Sequence, residues 1–210
     1  MIPGFLIVLV AAIAALYWIV LRNAAEKIAT QYRSLSEAYG LELNEPAPAM
    51  GGLIRPEPSV YGVYAGRELS ISVPGKGLQN TRQIETVLKL ELKVKDFSAQ
   101  IAPAGLLGGF RQRDSGGQAR WKSGHAAFDA AVDVRSNSPD QLDRCIGSMQ
   151  RDWLAATLKR SKGSIYIGEG VMAYAELGLI ANEATRQRFE NVVRFFQDFA
   201  ETIESAAGKR

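Results

Sequence analysis

Residues 84–94, with the sequence Ile-Glu-Thr-Val-Leu-Lys-Leu-Glu-Leu-Lys-Val, give the clearest indication of the fold. From position 88 onward the even-numbered residues are apolar and the odd-numbered residues are charged: Leu88, Leu90, Leu92 and Val94 against Lys89, Glu91, Lys93 and Lys95. A period of two is that of a strand with one buried face and one solvated face. The pattern predicts an antiparallel strand, with residues 97–101 as its expected partner.

Further strands are predicted on both sides of this one. Residues 60–65 and 68–73 alternate around a turn at Gly66-Arg67, and residues 164–167 and 171–177 flank the turn sequence Gly168-Glu-Gly170. A strand over residues 128–134 would place Asp129 and Asp133 on one solvated face. Hairpins that do not alternate with helices favour an antiparallel sheet over a parallel one.

Three helical segments complete the pattern. Residues 23–39 place four apolar side chains on one face before Gly40, a candidate C-cap: Ile28, Tyr32, Leu35 and Tyr39. Ser138-Pro139-Asp140 indicates a helix start, and that helix is expected to reach about residue 160 with one inner face: Leu142, Cys145, Ile146, Met149, Trp153 and Thr157. Asn182 is the expected N-cap of the last helix, which carries the clearest apolar stripe.

The element order predicts an α+β fold, in which one N-terminal transmembrane helix precedes a mainly antiparallel sheet packed by helices. A seven-stranded pleckstrin-homology-like barrel with a C-terminal helix is the alternative, although a helix between its fifth and sixth strands departs from that pattern. The expected segments are a transmembrane anchor (1–22), a juxtamembrane helix (23–43), a connector rich in Pro and Gly (44–59) and a soluble α+β domain (60–207).

The anchor is predicted from residues 2–21, which include no charged side chain. About 20 residues rising ~1.5 Å each span the ~30 Å hydrocarbon core of a bilayer. The side chains expected to contact lipid are Phe5, Leu9, Ile13, Tyr17 and Trp18, and a small-xxx-small pair that admits a second helix is formed by Ala11 and Ala15. A cleaved signal peptide is the competing interpretation, but no basic residue precedes the apolar core.

Charges that flank the anchor predict its orientation. Arg22, Lys27 and Arg33 follow the apolar segment, whereas only the α-amino group precedes it. Basic residues remain on the cytoplasmic side of a membrane. We therefore expect a single-pass protein of the bacterial inner (cytoplasmic) membrane, with its N-terminus outside and its domain in the cytoplasm. The single Cys145 agrees with a reducing compartment.

Residues 103–124 are rich in glycine and carry four cations, Arg111, Arg113, Arg120 and Lys122. Such a loop is able to hold a phosphate ligand or a lipid headgroup. The other interpretation is a solvated loop near the membrane, where cations meet anionic lipid. The spacing matches neither a P-loop nor a dinucleotide fingerprint.

Groups suited to catalysis are sparse in this chain. His125 is the single histidine, and no Gly-x-Ser-x-Gly sequence is present. One His and one Cys are too few for a zinc site, which takes three or four protein ligands, and Cys145 lies on an apolar helix face. We expect no enzyme activity, no cofactor and no metal. Lys and Arg total 25 against 22 for Asp and Glu, without the basic stripe that marks a nucleic-acid partner.

Two short motifs carry a resemblance to a group of known proteins. They are Tyr-Gly-Val-Tyr-Ala-Gly-Arg at residues 61–67 and Phe-Asp-Ala-Ala-Val-Asp-Val at residues 128–134. In these the chain resembles uncharacterised bacterial single-pass membrane proteins, which pair a G-x-Y-x-G-R turn with a later F-D strand. The resemblance spans most of residues 23–205 and brings no known activity. It implies that the Gly-Arg and Phe-Asp pairs have structural roles in turns and in the hydrophobic core.

The anchor, its orientation and the missing catalytic set predict a non-enzymatic accessory or scaffold subunit of a membrane protein complex. Its cytoplasmic domain would bind partner proteins, and its expected partners are the lipid bilayer and other membrane-protein subunits. A sensor of lipid headgroups or phosphate ligands that uses the basic loop is the alternative hypothesis. An enzyme of unknown class is the third.

Overall fold

A computed structural model describes residues 2–49, 55–75, 84–105 and 117–208 of the chain, with side chains from residue 8 onward. Its first helix, α1 (Ile2–Tyr39), runs for 38 residues, about 57 Å, from the apolar segment into the folded domain. Gly40 ends the helix in the left-handed conformation, with φ +63°. The anchor and the juxtamembrane helix are therefore one element, which the first strand follows directly.

The strands form one sheet in which every neighbouring pair is antiparallel. They are β1 (Glu42–Asn44), β2 (Ser59–Tyr64), β3 (Arg67–Ser72), β4 (Glu85–Glu91), β5 (Ala99–Pro103), β6 (Ala119–Trp121), β7 (Val132–Ser136), β8 (Ser164–Gly168) and β9 (Val171–Leu177). Within the described ranges the nine strands lie in the order β1-β2-β3-β4-β9-β8-β5-β7-β6. This is the predicted α+β fold, not a seven-stranded barrel.

Four more helices lie in the described ranges: α2 (Ala126–Ala131), α3 (Pro139–Cys145), α4 (Ser148–Ser161) and α5 (Glu183–Ala207). Asn182 caps α5 as predicted, since its side-chain oxygen accepts a hydrogen bond from the Thr185 backbone N–H at 2.9 Å. The apolar stripe of α5, which includes Phe189, Val193 and Phe196, is fully buried against the sheet. From α1, the side chains of Tyr32 and Leu35 reach the same core.

Both predicted hairpins are confirmed, β2–β3 and β8–β9. The expected pairing of residues 84–94 with residues 97–101 is wrong, because β4 lies between β3 and β9 while β5 lies between β8 and β7. The β8–β9 hairpin thus inserts between strands that are adjacent in sequence. Leu88 pairs with Ile71 on one side and with Tyr174 on the other, so the alternating residues do form the buried face.

Residues 128–134 do not form the single strand that was predicted. The first part is helix α2 and the second part begins β7. Alanine-rich sequence favours a helix, and Phe128 is the buried residue of α2. Asp129 and Asp133 therefore lie on different elements and share no solvated face. Asp133 is buried on β7.

The helix predicted from residue 138 to about residue 160 is two helices. α3 ends at Cys145, and α4 begins at Ser148 after Gly147, a poor helix former. The interruption changes which side chains face inward. Met149 is 76% exposed, whereas Trp153 stacks on Phe195 of α5 with ring centroids 3.7 Å apart.

Candidate membrane-proximal interaction site

The N-terminal helix is long and apolar enough to cross a membrane. Its predicted lipid contacts Leu9, Ile13, Tyr17 and Trp18 are all exposed, and so are Ala11 and Ala15; the side chain of Phe5 lies outside the described residues. At the end of the apolar segment the Arg22 guanidinium lies over the Trp18 ring, 5.5 Å from its centroid. This cation–π contact pairs an aromatic residue with a cation, the combination typical of a membrane interface.

Beyond the apolar segment, α1 becomes part of the domain core. Tyr32 and Leu35 are fully buried and Ile28 is nearly so. The Gln31 Oε1 accepts a hydrogen bond from Arg186 Nε of α5 at 3.2 Å. Since these contacts begin about two turns after Arg22, the domain is held close to the end of the apolar segment.

The motif at residues 61–67 has a structural explanation. The Tyr64 ring packs edge-on against Tyr39, with centroids 4.9 Å apart. A Cβ on Gly62 would come within 3.3 Å of the Leu41 side chain, and Gly66 makes the turn with φ +76°. The motif therefore packs the β2–β3 hairpin against the end of α1.

A groove lies between the first turns of α1 after the anchor and the Pro-rich connector. It encloses about 250 Å³, and its lining includes Leu21, Ala25, Ile28 and Ala29 from the helix and Pro46, Pro48, Pro56 and Pro58 from the connector. Three carboxylates, Glu26, Glu45 and Glu57, also line it. Because Leu21 ends the apolar segment, the groove lies beside the end of that segment.

The carboxylates of this groove differ in their surroundings. Glu26 and Glu45 both accept hydrogen bonds from Arg33, at 2.8 and 2.9 Å, so this arginine bridges the helix and the connector. Burial raises the pKa of the Glu57 carboxyl, because an apolar wall disfavours the ionised form. Sequence periodicity did not indicate this groove, since the connector has no regular pattern.

The predicted basic loop is only partly within the described residues. Arg111 and Arg113 lie outside them, and Lys122 is exposed just after β6. Arg120 belongs to a strand, and its Nε lies 2.8 Å from Asp133 Oδ1. One of the four cations is thus engaged by a buried carboxylate. Binding of a headgroup or phosphate by this loop stays a prediction.

The residues considered for catalysis each have structural surroundings. His125 is exposed at the start of α2, and burial raises the pKa of the Cys145 thiol to about 11. Asp129 Oδ1 accepts hydrogen bonds from the Ser123 backbone N–H and hydroxyl, both at 2.9 Å. Within residues 2–49, 55–75, 84–105 and 117–208 no group of three His, Cys, Asp or Glu side chains is arranged to hold a metal.

The sheet face opposite the helices offers a second, more open surface. It carries a small buried cluster of Val87, Ala173 and Ala175 beside Tyr166. A shallow depression of about 390 Å³ lies next to this cluster and is lined by residues that include Tyr61, Val63 and Val171. Tyr61 and Val63 are 47% and 67% exposed, so this face presents apolar side chains to solvent.

No protein family and no curated protein matches this chain. Among solved structures, the chain is similar to the crystal structure of the mycobacterial trehalose monomycolate transport factor A, TtfA. The fold is shared. The TM-score is 0.56 at 13% sequence identity, over 83% of this chain and 95% of that chain. At this identity the similarity bears on architecture, and it agrees with the α+β sheet described above.

Proposed function

We propose that this protein is a non-enzymatic accessory subunit of a membrane protein complex in the bacterial inner membrane, with a cytoplasmic domain that binds partner proteins. The observation that carries the proposal is the continuity of α1, which passes from the exposed apolar segment into the buried core without interruption. A helix built in this way holds the domain at a defined position beside the bilayer. Such positioning suits a scaffold more than a free enzyme.

The ionisable groups support a non-enzymatic role. In the part of the chain that the structure describes, two buried or half-buried carboxylates are used in structural contacts. Glu204 accepts two hydrogen bonds from Arg67, and Glu176 accepts from both Arg188 and the Tyr174 hydroxyl. Groups that are saturated by fixed partners are poorly suited to transfer protons to a substrate.

The similarity to TtfA supports a place beside a membrane transport system. That protein is named a transport factor, and it shares the architecture of this domain. By analogy, this chain would assist a transporter through protein contacts. The analogy concerns the role and carries no substrate over to this chain.

The proposed orientation rests on Arg22, Lys27 and Arg33, which follow the apolar segment. It is tested with a cysteine introduced at the exposed Glu201 in intact cells. A membrane-impermeant maleimide should label Glu201→Cys only after the inner membrane is permeabilised. Labelling of intact spheroplasts would place the domain on the outer side and contradict the orientation.

The groove beside α1 is the proposed contact with a partner subunit, because small and apolar residues line it at the membrane surface. A photo-crosslinking amino acid at Ala25 should form a discrete adduct in native membranes. The matched control is the same amino acid at Lys27, which is exposed and does not line the groove. Adducts of equal yield at both positions, or none at either, would argue against a partner in this groove.

A further inference from the structure

The contacts of α5 show which end of the domain is nearest to the anchor. Arg186 of α5 bonds to Gln31, and the backbone carbonyl oxygen of Glu190 accepts a hydrogen bond from the Tyr39 hydroxyl at 3.3 Å. Both helices therefore run away from the anchor in the same direction. The N-terminal end of α5 lies on the membrane side, and Glu201 lies 15 residues beyond Arg186, about 22 Å along the helix axis.

The last turn of α4 lies at this same end. Arg188, two residues after Arg186, donates a hydrogen bond to Glu176, which also accepts one from the Tyr174 hydroxyl at 2.7 Å. The Tyr174 ring in turn packs on Gly163, where an added Cβ would be 2.7 Å from the ring. Gly163 follows α4 by two residues, so this chain of contacts connects the end of α4 to the anchor-proximal part of α5.

Three exposed cations cluster in and just after the last turn of α4, namely Lys159, Arg160 and Lys162. We call this cluster the α4 basic turn. Lys162 has a left-handed backbone, with φ +54°, and ends the helix. Two acidic groups on neighbouring elements are already engaged, because Asp129 of α2 bonds to Ser123 and Glu176 of β9 bonds to Arg188.

Gln31 marks the height of the anchor-proximal part of α5 above the apolar segment. Gln31 lies nine residues after Arg22, about 14 Å along α1, and the headgroup layer takes up roughly 7 Å of that distance. The remaining gap is comparable to the Debye length of about 8 Å at physiological ionic strength. Cations at this height are attracted by anionic lipid headgroups.

We infer that the α4 basic turn, Lys159, Arg160 and Lys162, is a lipid-facing surface that holds the domain against anionic headgroups. This surface differs from the Gly-rich loop, and it rests on the anchoring proposed above but not on any protein partner. With the anchor, it makes a second attachment to the bilayer and restricts the tilt of the domain.

The test uses the full chain in nanodiscs of phosphatidylcholine, with or without phosphatidylglycerol, doped with a headgroup-nitroxide lipid. A fluorophore is attached at Ala156→Cys, an exposed site one turn before the basic turn, or at Glu201→Cys on the far part of α5. We expect stronger quenching at residue 156 than at residue 201, and an increase at residue 156 when phosphatidylglycerol is present.

Replacing the three cations by glutamine, in Lys159→Gln, Arg160→Gln and Lys162→Gln, should remove the phosphatidylglycerol-dependent quenching. The lipid-apposed population should fall roughly fivefold for each cation removed. The matched control is Lys89→Gln, Lys93→Gln and Lys95→Gln, which makes the same change in net charge at exposed residues of and after β4. This control variant should retain the phosphatidylglycerol-dependent quenching.

Two outcomes would overturn the inference. Equal loss in both triple variants would mean that net charge alone controls the response. A triple α4 variant with a lower Tm and an unchanged lipid response would mean that the cations only offset the C-terminal end of the helix dipole. Because no partner protein is present, failure of the accessory-subunit proposal would leave this measurement unaffected.

Discussion

Arg67 on β3 and Glu204 in α5 form a bidentate ion pair across 137 residues of sequence, with Nη1 2.6 Å from Oε1 and Nη2 2.9 Å from Oε2. The Arg67 side chain is 5% exposed, and Glu204 Oε1 also accepts the Lys93 backbone N–H at 2.9 Å. One carboxylate thus joins β3, the residues after β4 and the last turns of α5. These contacts hold the C-terminal part of α5 against the sheet.

Removing the charge of this carboxylate should destabilise the domain. Glu204→Gln leaves the buried Arg67 guanidinium without its counter-ion, and we expect a loss of about 2–3 kcal/mol in the free energy of unfolding. Urea denaturation followed by circular dichroism measures it. Glu201→Gln, at an exposed position of the same helix, serves as the control and should change stability little. An equally small effect at Glu204 would mean that the pair is unimportant.

The same pair predicts a dependence of stability on pH. The hydrogen bond from Arg67 holds the pKa of Glu204 below its usual range. A carboxyl group with a lowered folded pKa stabilises the protein above its unfolded pKa, about 4.3, and this contribution is lost as pH falls through the folded value. Wild-type stability should therefore fall on acidification below about pH 4, and Glu204→Gln should show a shallower slope. Parallel slopes would contradict this assignment.

Local periodicity predicted most of the elements but not their arrangement. The alternation at residues 84–94 correctly predicted both the strand and which of its faces is buried, because a period of two depends only on neighbouring residues. The neighbours of β4 depend on β9, which lies some 80 residues later, and no local pattern carries that information. Residues 128–134 were misassigned because Phe128, Val132 and Val134 fit a strand spacing while Ala-rich sequence favoured a helix.

Of the candidate site, the sequence predicted only the apolar helix and not the groove beside it. The flanking charges and apolar length identified α1, but the groove depends on how the connector folds back on Ala25 and Ile28. Arg67 was interpreted as a turn residue. A stronger signal was available, since Arg67 is in phase with Leu69 and Ile71 on the buried face of β3, and a buried cation requires a counter-ion.

Gly163 should tolerate no side chain. A Cβ at this position would lie 2.7–2.8 Å from the ring and hydroxyl of Tyr174, a fully buried residue that cannot move aside. We expect Gly163→Ala to cost about 1–3 kcal/mol through overpacking, measured as a lower unfolding midpoint. Gly75→Ala is the control, since no atom of the residues that the structure describes lies within 4 Å of a Cβ added there. Similar midpoints for the two variants would refute the proposed clash.

Cys145 should be unreactive in the folded protein. It is 1% exposed, and burial raises the pKa of its thiol to about 11, so almost no thiolate exists at neutral pH. Maleimide labelling of wild-type protein should be negligible until denaturant is added. Rapid labelling of native protein would show that the region around α3 opens, and the labelling experiments proposed above would then require Cys145→Ser.

We expect α1 to be a rigid connection between the anchor and the core. Four flexible residues, Gly-Ser-Gly-Ser, inserted after Asn23 should leave the free energy of unfolding unchanged, because the buried part of the helix begins at Ile28. In nanodiscs of phosphatidylcholine alone, the difference in lipid quenching between probes at residues 156 and 201 should shrink, since α1 would no longer fix the orientation of the domain. Four inserted alanines continue the helix, lifting the domain about 6 Å and turning it by roughly 40°. That insert should preserve a difference between the probes, and identical behaviour of both inserts would show that α1 does not fix the orientation of the domain.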